Sequence, residues 1–373
     1  MADQRQPLPP SLWDVVALRA TGARWPPETP SRAELVARAC LDEGLLPLLQ
    51  AEPAFPLLVR DAVRRAMSSR LHVDRDHALR RGLRRALEVI GPEVVVLKGS
   101  DLAHRLYADP ALRPMFDVDL LVPLAQAAEV RAQLERAGAA PIFHGPATRV
   151  PSYHEVAFDF DGILLELHHS FVQRVRHHVD YDAIWSARVP VDVLGMRTAR
   201  LCDVDAIHYL LLSIALESLA PPLLRYVDLW IMLRAAPEAL EGALDRAHKW
   251  ATVRAAYAAL TEAGRILPEL DGESHQRLRE SLLPASERRW IDRYILPRAP
   301  IGPTRAVQLW RKLWLLDGTR RRAAFLAYHA CAVVQGFWIG SRSEATSRCA
   351  PTRDSSRSKE SAAPSRRPRR AAP

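Results

Sequence analysis

The stretch Val94–Val122, VVVLKGSDLAHRLYADPALRPMFDVDLLV, decides the fold, because it sets two short apolar runs either side of a helical segment. Val94-Val95-Val96-Leu97 follows the helix-stopping pair Gly91-Pro92 and reads as a buried strand. Lys98-Gly99-Ser100 ends it, Asp101 to Tyr107 reads as a helix, and Asp109-Pro110 stops that helix. Phe116 to Val122 reads as a second strand. Alternate residues of a strand share a face, so Asp117 and Asp119 point one way while Val118, Leu120 and Val122 point into a core. Two neighbouring carboxylates repel, no lysine or arginine in the strand neutralises them, and a divalent cation would offset the repulsion.

Working outward, residues 124–137 read as a helix closed by Gly138. Glu155–Phe160 and Ile163–His168 flank Asp161-Gly162, a hairpin-turn signal. Glu166 lies between apolar Leu165 and Leu167 and shares the less apolar face with Leu164 and His168, which makes it a third candidate carboxylate. Three carboxylates can hold two magnesium ions about 3.5–4 Å apart, and phosphoryl-type transfer needs the charge neutralisation and positioning they bring. Gly99 allows close backbone approach, and a helix start at Ser100 offers N–H groups, with the Ser100 hydroxyl, to phosphate oxygens. Lys98 stands out because the chain has 48 arginines and only four lysines. Either Lys98 or Arg113 could contact phosphate, or each could form a structural ion pair. His168 could support the site or be an ordinary satisfied histidine, and His177-His178 reads as surface. Arg225 and Asp228, three apart on a helix, read as a local ion pair.

The order of these pieces resembles the DNA polymerase β-like nucleotidyltransferase superfamily: an apolar strand ending in Gly-Ser, a helix, alternating aspartates, and a later strand with one more carboxylate. More closely, Val95–Pro123 is similar to an uncharacterised bacterial nucleotidyltransferase family with the pattern LKG..L...LY.....RP..D.DLLV, which Glu166-Leu167-His168 and Leu224–Leu229 extend. The resemblance implies metal binding by Asp117, Asp119 and Glu166 and triphosphate binding by Gly99 and Ser100. It also implies Mg2+ as cofactor, an NTP (ATP the expected donor) as substrate, and NMP transfer to an unidentified small-molecule, sugar or peptide acceptor. Phe116 departs from the pattern, which has a small residue there. An inactive nucleotide- or partner-binding module with the same fold is the alternative.

The expected fold class is α+β, a small mixed sheet with helices, flanked by helical segments. The expected organisation is an N-terminal helical segment (1–90), a core (91–190), a C-terminal helical domain (191–340) and a disordered basic tail (341–373). Within the first segment, Ser31 and Glu34 suggest a capping box, and a helical stretch runs from about Leu57 to Ile90. Six of the nine tryptophans lie from Trp230 onward, where they would pack helices together.

Composition sets the outer limits. The net charge is +9, but nine basic and three acidic residues from Ser341 onward carry +6 of it. The rest is near neutral, so nucleic acid is not the favoured partner. Four scattered cysteines, Cys40, Cys202, Cys331 and Cys349, with no CxxC pair argue against disulfides or a zinc site. With an N-terminus lacking a signal-peptide apolar core, they favour a cytoplasmic protein. Ala323–Gly340 is long enough to span a membrane, but His329 and Gln335 interrupt it, so a buried helix is expected.

Overall fold

The computed structural model describes residues 9–21, 25, 29–51, 62–63, 70–142, 154–173, 176–296, 304–328 and 330–331. The expected basic tail, the helix start near Leu57 and most of the apolar stretch after Cys331 fall outside them. Helices α1 (Pro10–Thr21), α2 (Pro30–Asp42), α3 (Leu46–Ala51) and α4 (Arg70–Ile90) come first. The cap of α2 is Thr29 rather than Ser31: the Arg32 N–H donates to Thr29 Oγ1 at 3.4 Å. Pro30, with its fixed φ and missing N–H, suits the first helical position and moves the cap one residue ahead of it.

A mixed sheet follows. Its strands are β1 (Val95–Val96), β2 (Val118–Leu121), β3 (Ala140–Ile142), β4 (Glu155–Phe160), β5 (Ile163–His168), β6 (Val189–Val193) and β7 (Met196–Arg200), in spatial order β3-β4-β5-β2-β1-β7-β6. Three helices are interleaved: α5 (Lys98–Leu106) after β1, α6 (Ala127–Arg136) after β2 and α7 (Tyr181–Ala187) after β5. The architecture is α+β, as expected. Three details differ from expectation. Helix α5 starts at Lys98, three residues early; β2 starts at Val118, leaving Asp117 just ahead of it; and the sheet runs on through the β6–β7 hairpin to Arg200.

Strand alternation divides the sheet's two faces. Val94, Val96, Val118, Leu120, Val122, Leu165 and Leu167 join one core with Leu79, Leu83 and Leu87 of α4 and Val130 and Leu134 of α6. Val95, Leu97 and Leu121 face the other way, into a second core shared with the helices that follow. These are α8 (Asp203–Leu216), α9 (Leu223–Ala235), α10 (Ala239–Lys249) and α11 (Val253–Ile266), with α12 (Glu273–Ser281), α13 (Ala285–Tyr294) and α14 (Arg305–Trp314) behind them. Helices α1–α3 join that same second core. Among the described residues, no helix is long and apolar enough to cross a membrane.

Candidate active site

The site forms where polar residues interrupt the second face. Strands β2 and β5 run parallel with Asp119 paired to Glu166, and β4 runs antiparallel to β5 with Glu155 paired to His168. Period-2 alternation therefore gathers Asp119, Glu166, His168 and Glu155 on one face. Asp119 is only 2% exposed, and its Oδ1 accepts from Lys98 Nζ and from His168 Nε2, each at 3.0 Å. His168 Nε2 also lies 3.5 Å from Glu166 Oε2, and its Nδ1 lies 3.2 Å from Glu155 Oε2. His154 Nε2 reaches the same Glu155 oxygen at 3.2 Å.

The turn that delivers Lys98 is unusual. Lys98 sits at φ +40°, in the left-handed region that non-glycine residues avoid, between β1 and the first turn of α5. That bend carries its ammonium over the sheet face toward Asp119, with the Tyr209 ring of α8 beneath it at 5.5 Å. Ser100 is buried, its Oγ against Met115 Sδ at 3.9 Å. A Cβ on Gly99 would stand 2.6 Å from Arg113 Nη1, so a glycine is needed there for the guanidinium to approach.

The charges interlock. Burial would raise the Asp119 carboxyl, but the ammonium of Lys98 and the hydrogen bond and charge of His168 hold it well below the usual range. Burial works against a charged His168, yet hydrogen bonds to Asp119 and Glu166 and the Glu155 charge push it up to about 10. Glu155 is itself held down at about 2 despite burial, by its bond to His154 and by the His168 charge. Asp117 is pushed up to about 6, first by burial and then by Asp119, with Glu166 adding to it and Lys98 only partly opposing. A buried carboxyl raised further by neighbouring carboxylates favours an added positive charge, and such oxygen donors suit a hard divalent ion. Among the described residues, ligand atoms of Asp119, Glu166 and His168 lie within 4.8 Å of one another, as do those of His154, Glu155 and His168. Asp117 belongs to neither group but borders the first.

A sequence model of the family described as uncharacterised nucleotidyltransferase matches residues 30–268. The chain belongs to that family. No curated protein matches it. The match extends from α2 to the end of α11, so the family unit includes both the sheet and the helices that cover its second face.

In this member of the family, the structure brings together Asp119, Glu166 and Lys98, with Asp117 alongside. Arg113 is committed elsewhere. Its Nε and Nη2 donate to the two oxygens of buried Asp228 at 2.8 and 2.6 Å, and Tyr107 Oη donates to Asp228 Oδ1 at 2.8 Å. Of its two sequence readings, the structural ion pair is the one formed. This also corrects the pairing expected for Asp228: Arg225 instead lies 3.6 Å from Glu217, on the side of α9 that feels Asp117, Asp119 and Lys98. His177 is buried rather than at the surface, and its Nδ1 reaches the Ala251 carbonyl at 3.3 Å. Phe116 is 40% exposed, with its ring against the turn at Gly44. Sequence reasoning misses Glu155, His154, Tyr209 and Arg225 as site residues; only the even offset of Glu155 in a strand opposite His168 could flag one of them.

Proposed function

We propose that the chain transfers a nucleoside monophosphate from an NTP, with ATP the expected donor, to an acceptor hydroxyl, phosphate or amine, releasing pyrophosphate. The observation that carries this reading is the parallel β2–β5 register, which sets Asp119 opposite Glu166 on the face beside the Lys98-Gly99-Ser100 turn. Asp117, Asp119 and Glu166 would hold Mg2+. When bound, Mg2+ would neutralise these carboxylates and the developing charge of in-line displacement at the α-phosphorus.

The chain's own residues divide the remaining work. The first turn of α5 would offer backbone N–H groups to the β- and γ-phosphates, apart from that of Ser100, which donates to the Leu97 carbonyl at 3.2 Å. Arg225 is the guanidinium placed to meet polyphosphate charge, while Arg113 acts by packing against Gly99. Glu166, partly exposed beside His168, takes the acceptor proton. Helices α8 and α9, which bring Tyr209 and Arg225 beside Lys98 and the carboxylates, would shape the acceptor pocket.

One observation favours a second reading, a nucleotide- or partner-binding module without turnover. Lys98 and His168 already neutralise Asp119 through their own contacts to its Oδ1. Calorimetry with MgATP on the full chain and on Asp117→Ala/Asp119→Ala separates the two from a wrong assignment. Binding by wild type and not by the double variant is the expected result, and acceptor screening with the bound nucleotide then tests turnover. Equal binding by both proteins would sink the carboxylate site.

A further inference from the structure

We infer that Glu155 is a positioning residue for Asp119, acting through the His168 ring; this rests on the metal site of the proposed transferase. Three strands build the device. Leu121 of β2 and Glu155 of β4 both pair with His168, so the imidazole sits between strands that bear carboxylates on either side. Nε2 hydrogen-bonds Asp119 Oδ1 at 3.0 Å, while Nδ1 makes an ion-pair contact with Glu155 Oε2 at 3.2 Å that lacks hydrogen-bond alignment. Turning the ring about its Cβ–Cγ bond would move both nitrogens off their contacts, so the Glu155 carboxylate adds to what keeps Nε2 on Asp119.

The consequence falls on Asp119. Both side-chain hydrogen bonds to that carboxylate, from Lys98 and from His168, end on Oδ1. They pin the carboxylate's rotation beside Glu166, with which it forms a candidate cation site: ligand atoms of Asp119, Glu166 and His168 lie within 4.8 Å of one another. His154, 3.2 Å from Glu155 Oε2, steadies the far end of the line. Groups that orient a ligand in this way commonly change metal affinity about 10–100-fold when removed. A plain cross-strand ion pair in the β4–β5 hairpin would instead change only stability.

The test is Mn2+ binding to the full chain, followed by electron paramagnetic resonance, on wild type, Glu155→Gln, His168→Gln and the double variant. His168→Gln supplies an amide N–H that reaches Asp119 without help from Glu155. Glu155→Gln should weaken Mn2+ about 10-fold or more in the wild-type background and cause no loss in the His168→Gln background. Should Glu155→Gln fail to fold, Glu155→Asp keeps the charge but withdraws the oxygen from the ring, and the same loss is expected. Unchanged affinity with a lowered melting temperature would make Glu155 a hairpin brace and overturn the inference alone. Mn2+ that survives Asp119→Asn but is lost in Glu155→Gln and His154→Gln would also overturn it, placing a separate cation site on His154, Glu155 and His168. A wild type that binds no Mn2+ would remove the metal reading and this inference together.

Discussion

At the scale of single residues, the tightest constraint is Gly99. From sequence, its missing side chain reads as room for a phosphate to approach; in the structure that space is taken by Arg113. An alanine Cβ would stand 2.6 Å from Arg113 Nη1 and 3.3 Å from Met115 Cγ. The guanidinium cannot easily retreat, because Asp228 holds two of its nitrogens in a pair that is buried on both sides. Gly99→Ala is therefore expected to cost about 1–3 kcal/mol in stability even without nucleotide, as overpacking does. Thermal melts of the ligand-free variant check this, and an unchanged midpoint would mean the ion pair gives way freely. Breaking the pair from the other side should cost more. Asp228→Ala leaves Arg113 charged and buried with its carboxylate gone, for an expected loss of about 3–5 kcal/mol by urea denaturation. None of this is legible in the sequence, since Arg113 and Asp228 lie 115 residues apart and each has a plausible local partner. Asp117, Asp119 and Glu166 are legible for the opposite reason: strand alternation is local, and a charge that breaks an apolar run shows itself.

At the scale of elements, the two hairpins show what a sequence pattern carries. Asp161-Gly162 and Leu194-Gly195 are both two-residue turns with positive φ at each position. In each, an aspartate three residues before the glycine accepts its N–H: Asp159 from Gly162 at 3.0 Å and Asp192 from Gly195 at 2.9 Å. The first is readable because Asp-Gly is a strong turn pair. The second escapes notice because leucine rarely takes the left-handed region, although the Asp-x-x-Gly spacing is there to find. Strand β1 is legible as an apolar run but is only two residues long, since the left-handed Lys98 leaves the strand at once. Close packing of α4 on the sheet is not legible, and it rests on Gly82. A Cβ there would stand 2.8 Å from Ile163 Cγ1 on β5. Gly82→Ala gains helix propensity but must push α4 off the strand that carries Glu166 and His168. The expected net effect is a destabilisation of about 1–2 kcal/mol, read from urea titrations. A stabilised variant would show that Ile163 repacks.

At the scale of the whole molecule, the turn between α10 and α11 meets α8 and the segment after β5 along a seam that contains two neutral, buried histidines. His208 of α8 bonds Thr252 Oγ1 through Nε2 at 2.8 Å, with its ring edge-on to Trp250 at 5.0 Å. His177, in the segment after β5, reaches the Ala251 carbonyl, and the His178 N–H donates to the Trp250 carbonyl at 3.3 Å. Both imidazoles are lowered to about 3, chiefly by burial and then by a nearby arginine, Arg176 for His177 and Arg246 for His208. The folded state therefore binds fewer protons than the unfolded chain between pH 6.5 and about 3. Their contribution is fully present above the unfolded value near 6.5 and is lost as pH falls through that window. Each ring can remove on the order of a few kcal/mol before it is fully protonated. Asp117, raised to about 6, and His168, raised to about 10, act in the opposite sense over parts of the range, so the decisive comparison holds both constant. His208→Gln can keep the contact to Thr252 through its amide but has no proton to gain. Wild type should lose stability between about pH 7.5 and about pH 5, and His208→Gln should lose clearly less, by urea midpoints at the two values. Equal losses would move the acid sensitivity away from this seam. A smaller loss in the variant would make the packing of α8 against the turn between α10 and α11 a contact that acid weakens.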